Sequence, residues 1–212
     1  MKLTKYEHSC LVITKGDATL VIDPGSFTTP LSDLNGVVAI VITHEHADHW
    51  TAEQLNRILD RNPSARILAP AGVAAAAADF TIETVKGGDT VEAEPFELRF
   101  FGEKHAVIHS SIPVVDNVGV LVDGSLYYAG DSYTVPEGVE VETLAVPIGA
   151  PWLKIGDAMD YVLEVKPRRS FPVHEAVLSQ IGKTMTQARI EAATAQGGGE
   201  FFLLEPGESF DL

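Results

Sequence analysis

The apolar run Val37-Val38-Ala39-Ile40-Val41-Ile42 gives way, one residue later, to His44-Glu45-His46-Ala47-Asp48-His49. A buried strand that stops in three imidazoles and a carboxylate constrains the fold more than any other stretch. Such groups are costly to bury without partners, and neutral imidazole with carboxylate is a donor set for zinc and neighbouring ions. The chain has 7 histidines in 212 residues, and three of them crowd here. His44 and His46 are two apart, so an extended backbone points both side chains the same way. Asp48 and His49 fall where the chain turns toward a helix. Thr51 reads as its N-cap, with Gln54 completing a capping-box pattern. Leu55, Ile58 and Leu59 then share one face of a helix over Ala52–Asp60. One tight loop can aim His44 and His46 at one ion, and Asp48 and His49 at a second close by.

Elsewhere, patterning predicts many short strands and about four helices. Leu3–His8, Cys10–Thr14 and Ala18–Ile22 read as successive strands, followed by Val37–Ile42, Arg66–Ala69, Thr81–Val85, Thr90–Ala93 and Phe96–Phe101. Asp123-Gly124 is a strong turn signal that makes a hairpin of Val118–Val122 and Ser125–Tyr128. Leu144–Val146, Ser170–Val173 and Phe201–Leu204 complete the strands. Helices are expected over Ala74–Ala78, over Ala158–Val165 with Asp157 as cap, and over Thr184–Ala195, which Gly197-Gly198-Gly199 ends. Periodicity alone gives a mixed α and β chain.

The loop resembles the signature of the metallo-β-lactamase fold superfamily, which includes glyoxalase II and ribonuclease Z relatives. Further stations of that family recur in order. Val21-Ile22-Asp23-Pro24-Gly25 resembles its early strand ending in an aspartate, and Tyr128-Ala129-Gly130-Asp131 its strand ending in a metal-bridging aspartate. Phe171-Pro172-Val173-His174 resembles its last histidine station. The third station is matched by His105, which follows a strand, and by His109, whose His109-Ser110-Ser111 triplet resembles one found in some members. The strand position favours His105. Glu7-His8-Ser9-Cys10 resembles the Gly-His-Ser segment of the branch containing ascorbate-6-phosphate lactonase, with Glu7 in place of the glycine.

The resemblance implies a four-layer αββα sandwich formed by residues 1–212 as a single domain, and a dinuclear metal-dependent hydrolase. It implies one ion on His44, His46 and His105, a second on Asp48, His49 and His174, and Asp131 bridging them. Two zinc ions are the expected cofactor, with Mn²⁺ or Fe²⁺ compatible with the same donors. A metal-bridging hydroxide would attack a small ester, lactone or phosphodiester. Asp48 and Asp131 would position it, with His8 or His109 as candidate proton donors. Asp23 is expected to accept a hydrogen bond from a ligating imidazole. Trp152 is divided between pocket wall and core, and Tyr133 between oxyanion contact and packing. An iron-dependent oxidoreductase on the same scaffold, or a metal-binding protein without catalysis, are the alternatives.

Composition bears on partners. Hydrophobic content of 45% with 21% charged residues is ordinary for a globular chain. The net charge of −15 argues against nucleic acid as a partner. It leaves a small-molecule substrate, including an anionic one, because metals can reverse the sign inside a pocket. Arg168 and Arg169 could contribute there, or could be a solvated helix end. No apolar stretch approaches the roughly 20 residues of a membrane span. The opening residues lack the apolar segment of a signal peptide, and the single Cys10 has no internal disulfide partner. The expected location is cytoplasmic.

Overall fold

The structure is a computed structural model describing all 212 residues. In chain order the elements are β1 (Lys2–Lys5), β2 (Leu11–Lys15), β3 (Ala18–Ile22), β4 (Val37–Val41), α1 (Ala52–Arg61), β5 (Arg66–Ala69), α2 (Ala71–Ala76), β6 (Ile82–Thr84), β7 (Thr90–Ala93) and β8 (Phe96–Phe101). They continue as β9 (Gly119–Val122), β10 (Leu126–Tyr128), β11 (Thr143–Pro147), α3 (Ile155–Val165), β12 (Arg169–Val173), α4 (Gln180–Gln196), β13 (Glu200–Phe201) and β14 (Ser209–Asp211). Two seven-stranded sheets result, ordered β14-β1-β2-β3-β4-β5-β6 and β13-β12-β11-β10-β9-β8-β7.

Three apolar clusters show how the layers stack. The largest, of 22 buried residues, takes Leu11, Leu20 and Val41 from the first sheet and Phe100, Val120 and Phe171 from the second, so it fills the space between the sheets. Ile40, Ile42 and Ile67 on the other face of the first sheet pack with Leu55 and Ile58 of α1 and Val73 of α2. Leu144 and Val146 pack likewise with Tyr161 and Val162 of α3 and Ile190 of α4. Strand residues alternate between these clusters, as period-two patterning demands. The result is the expected αββα arrangement. No helix is long and apolar enough to cross a membrane.

Element ends differ from the sequence expectation where the backbone leaves its regular region. β1 stops at Lys5 rather than His8, because the chain turns back over residues 7–10, where Cys10 N donates to the Glu7 carbonyl (3.3 Å) and His8 has φ +63°. The helix expected from Ala158 begins at Ile155, so Asp157 sits in its first turn instead of capping it. α4 begins at Gln180, where the Ser179 side chain accepts from Gly182 N. The Ala-rich helix starts directly after Pro70, at Ala71. The strand expected over Phe201–Leu204 shortens to Glu200–Phe201, and the final strand is β14, which the sequence reading missed.

Parallel pairing of β3 with β4, and of β10, β11 and β12 with one another, brings their C-terminal ends to the same edge of each sheet. Asp23 follows β3, His44 follows β4, Asp131 follows β10 and His174 follows β12. Ligand sites outside the carboxyl ends of parallel strands are a general outcome of such sheets.

Candidate metal centre

The loop after β4 is fixed from below. Thr51 caps α1 by accepting from Gln54 N at 3.2 Å. The Gln54 side chain does not complete the reciprocal box. It is buried, accepts from Leu31 N (3.1 Å) and donates to the Thr28 and Thr29 carbonyls, tying the segment after β3 to the helix. Gly25 lies under the loop: a Cβ there would be 1.8 Å from the Asp48 carbonyl oxygen. Only glycine permits this approach of backbone to backbone.

Three groups of donor atoms converge above this base: His44, His46 and His105; His8, Asp48, His49 and His174; and His44, His49 and Asp131, each with its atoms within 4.8 Å of one another. His44 Nε2 is 3.0 Å from His46 Nδ1, and His49 Nε2 is 3.2 Å from His174 Nε2. Asp131 lies between the groups. Its Oδ2 is 3.0 Å from His174 Nε2 and 3.4 Å from His105 Nε2, and its Oδ1 is 3.3 Å from His49 Nε2.

Outward hydrogen bonds decide which nitrogen of each ring faces inward. His174 Nδ1 donates to the Gly149 carbonyl (2.6 Å), and His105 Nδ1 to the Ala106 carbonyl (2.5 Å). His49 Nδ1 donates to Asp23 Oδ2 (2.7 Å). Thr43 Oγ1 gives its proton to Asp23 Oδ2 (2.7 Å) and therefore accepts from His44 Nδ1 (3.0 Å). Four rings thus spend Nδ1 on the protein and turn Nε2 to the centre, which is how a carboxylate or carbonyl behind a histidine orients it for a metal. His105 Nε2 and Asp131 Oδ1 are buried without a hydrogen-bond partner. Converging, unsatisfied donor atoms of this kind fit a divalent cation.

His8 has the opposite polarity. Its Nδ1 accepts from Ala176 N (3.3 Å), so Nε2 carries the proton and donates to Asp48 Oδ2 (3.1 Å). Burial lowers its pKa to about 4, so the ring is neutral. Its carbonyl also accepts from His174 N (2.9 Å), joining the N-terminal segment to the loop after β12. Beside it, the Lys5 ammonium pairs with the Glu175 carboxylate, both buried. His8, Asp23 and His174 all have positive φ (63°, 49° and 62°). Non-glycine residues in this region are uncommon, and three in one place mark backbone strain held by the surrounding contacts.

Burial would raise the Asp131 carboxyl, but the His49 and His174 rings hold it well below the usual carboxylate range. Burial would likewise lower His49, and the carboxylates of Asp131 and Asp23 hold it well above the usual range. His174 is raised by Asp131 against the same burial. Burial would raise Asp48, and its hydrogen bond from His8 together with the His49 and His174 rings lowers it. His44, buried next to His49, is lowered well below 6.5.

Of the residues singled out from sequence, His44, His46, Asp48, His49, His105, Asp131, His174 and His8 come together. His109 does not join them. It sits in the exposed loop after His105, where its Nδ1 closes a local turn with Ser111 N (3.1 Å). Arg168 and Arg169 lie at the opposite end of β12 from His174, paired with Glu142 at 3.4 and 3.6 Å. Tyr133 packs against Trp152 and Tyr161. Trp152 proves to be part of the centre, donating Nε1–H to Asp131 Oδ2 at 2.8 Å. Sequence reasoning missed Thr43 and Asn117. The Asn117 side chain accepts from Asp131 N (3.0 Å) and donates to the Ala129 carbonyl (2.9 Å), fixing the turn that presents Asp131.

Residues 2–174 match the family described as the beta-lactamase superfamily domain. The chain belongs to that superfamily. Protein Rv0786c of Mycobacterium tuberculosis is 37% identical over 92% of this chain and 93% of its own. A UPF0173 metal-dependent hydrolase of Aeropyrum pernix is 25% identical, covering 100% of this chain and 97% of its own. Among solved structures, a protein of Parabacteroides distasonis named as a metal-dependent hydrolase superposes with TM-score 0.78 at 19% identity, covering 96% of this chain and 92% of that one. CmlA, a diiron β-hydroxylase from Streptomyces venezuelae, superposes with TM-score 0.74 at 16% identity, covering 100% of this chain and 54% of that one. Both superpositions show a shared fold.

Proposed function

We propose that this protein is a dinuclear metal-dependent hydrolase, zinc being the expected metal, acting on a small ester, lactone or phosphodiester. The observation that carries the reading is the inward turn of four imidazole Nε2 atoms around Asp131, each fixed by an outward Nδ1 bond. The relatives' names as metal-dependent hydrolases support it. His44, His46 and His105 would hold one ion, and Asp48, His49 and His174 the other. Asp131 would lie between them, offsetting the repulsion of two cations. When bound, such a pair supplies Lewis acidity and a water deprotonated near neutral pH.

The protein's own residues set the stage for that chemistry. Asp23 and Thr43 fix the His44 and His49 rings, and Asn117 fixes Asp131. His8 holds Asp48 through its Nε2–H. Both its nitrogens are engaged and burial keeps it neutral, so in this reading it orients Asp48 and is not the proton donor. Trp152 shields Asp131 Oδ2 from water on one side.

A second reading, oxidation at two iron ions, has one observation in its favour: the fold is shared with a diiron hydroxylase. Metal analysis of protein purified without chelators or added metal, with assays on p-nitrophenyl esters and bis(p-nitrophenyl) phosphate, separates the two. We expect close to two zinc ions and hydrolysis that Asp131→Ala abolishes. Stoichiometric iron with redox-linked visible absorption would overturn the hydrolase reading.

A further inference from the structure

Four loops frame the centre, and each carries an apolar residue beside it. Phe27, after β3, is 48% exposed with its ring edge on His8 at 5.0 Å between centroids. Val107 is 63% exposed, two residues beyond His105, and the intervening Ala106 N donates to the Asp131 carbonyl (2.8 Å). Val177 is 50% exposed and follows Ala176, whose N–H binds His8. Trp152, after β11, is half-buried, donates to Asp131 and presents ring edges to His105 and His174. Exposed apolar side chains scattered singly carry no message, whereas several on the loops around one buried polar centre mark a binding surface.

Asp23, Asp48 and Asp131 surround the rings, and the side-chain cations adjacent in sequence to the centre are each engaged by a carboxylate. Lys5 is buried against Glu175. Lys104, next to His105, is held by Asp116 at 2.7 Å, and Lys154, two residues after Trp152, by Asp157 at 3.0 Å. Sites for phosphorylated substrates bring arginine or lysine forks to the non-bridging oxygens. Each of these three cations would have to leave its carboxylate to do so.

We infer that the substrate is an uncharged acyl compound with an apolar chain or ring, bound across Phe27, Val107, Trp152 and Val177, and not a phosphate ester. This rests on the hydrolase reading and narrows it. On zinc-loaded protein, kcat/KM for p-nitrophenyl acetate, butyrate and hexanoate should rise by roughly two- to fourfold per methylene, as burial of each group predicts. p-Nitrophenyl phosphate should lie at least about a hundredfold below the hexanoate. Phe27→Ala and Val177→Ala should each flatten the chain-length series.

A binding measurement keeps the two readings apart. Acetohydroxamate and octanohydroxamate are titrated against tryptophan fluorescence, with inorganic phosphate as the competing anion. Tighter binding of the octanoyl probe, weakened in Phe27→Ala, supports the apolar site even where no ester turns over; that result would sink only the hydrolase reading. Ester hydrolysis with a flat chain-length series, or phosphate binding tighter than octanohydroxamate, would leave the hydrolase standing and overturn the inference. Flat behaviour in both measurements also overturns it.

Discussion

Asp23 sits behind the converging Nε2 atoms, yet three of their contacts depend on it: the His49 ring, the Thr43 hydroxyl and the Thr43 amide. Asp23→Asn keeps the shape and removes the charge that holds the His49 proton on Nδ1. Zinc affinity, read by competition with a chromophoric chelator, should fall about ten- to a hundredfold while the circular dichroism spectrum is unchanged. An unchanged affinity would show that the ring is oriented by packing alone. Asp23 was legible in the sequence through the family resemblance of the strand it ends, although an aspartate before Pro-Gly also serves to start a turn. His44, His46, Asp48 and His49 were legible because their types and spacing carry the chemistry. Thr43 and Asn117 were not, since neither residue type is unusual at a strand end and their roles arise only when β4 lies beside β3 and β9 beside β10. Trp152 could be resolved only by seeing that its indole N–H reaches a carboxylate 21 positions earlier.

At the level of elements, strands with alternating or continuous apolar character were read correctly, and Arg66–Ala69 and Phe96–Phe101 match in full. Errors cluster where a short segment owes its shape to a distant partner. β14 has three residues and pairs with β1 from the other end of the chain, through Lys2 opposite Asp211. No local pattern announces that. The element most sensitive to substitution is the turn after β3. Gly25→Ala would place a methyl against the Asp48 backbone, and overpacking of this kind costs about 1–3 kcal/mol. We expect a lowered thermal midpoint in the metal-free protein, with a loss of zinc affinity larger than the stability change explains. Thr51→Ala, which removes only the α1 cap, should cost about 1 kcal/mol and leave zinc affinity nearly intact. Equal effects of the two variants on metal binding would refute the role given to Gly25.

Across the whole molecule, protons and metal compete for one set of rings. His49 and His174 are raised above 6.5 in the metal-free protein by Asp131. They contribute stability that is complete below their unfolded value of about 6.5 and is lost as pH rises through the folded ones. Asp131 and Asp48 are depressed. Their contribution is present above about pH 4 and is lost as pH falls through their folded values. Burial lowers His8, His44 and His46, and their contribution is lost as pH falls below about 6.5, so metal-free protein should be most stable at roughly pH 6.5. Zinc affinity should increase with pH, with proton release on binding measurable in buffers of different ionisation enthalpy. Affinity independent of pH between 6 and 8, within roughly the range over which histidine titrates, would contradict the protonation assigned to these rings. The pairing of β14 with β1, and the bond from His174 N to the His8 carbonyl, also govern timing. During synthesis the histidine-rich loop leaves the ribosome long before its counterpart at His174, and the edge of the first sheet stays open until the last strand arrives. The chain acquires its complete metal-binding set only when the segment carrying His174 docks on the segment carrying His8, so metal uptake in a cell would report that step of folding.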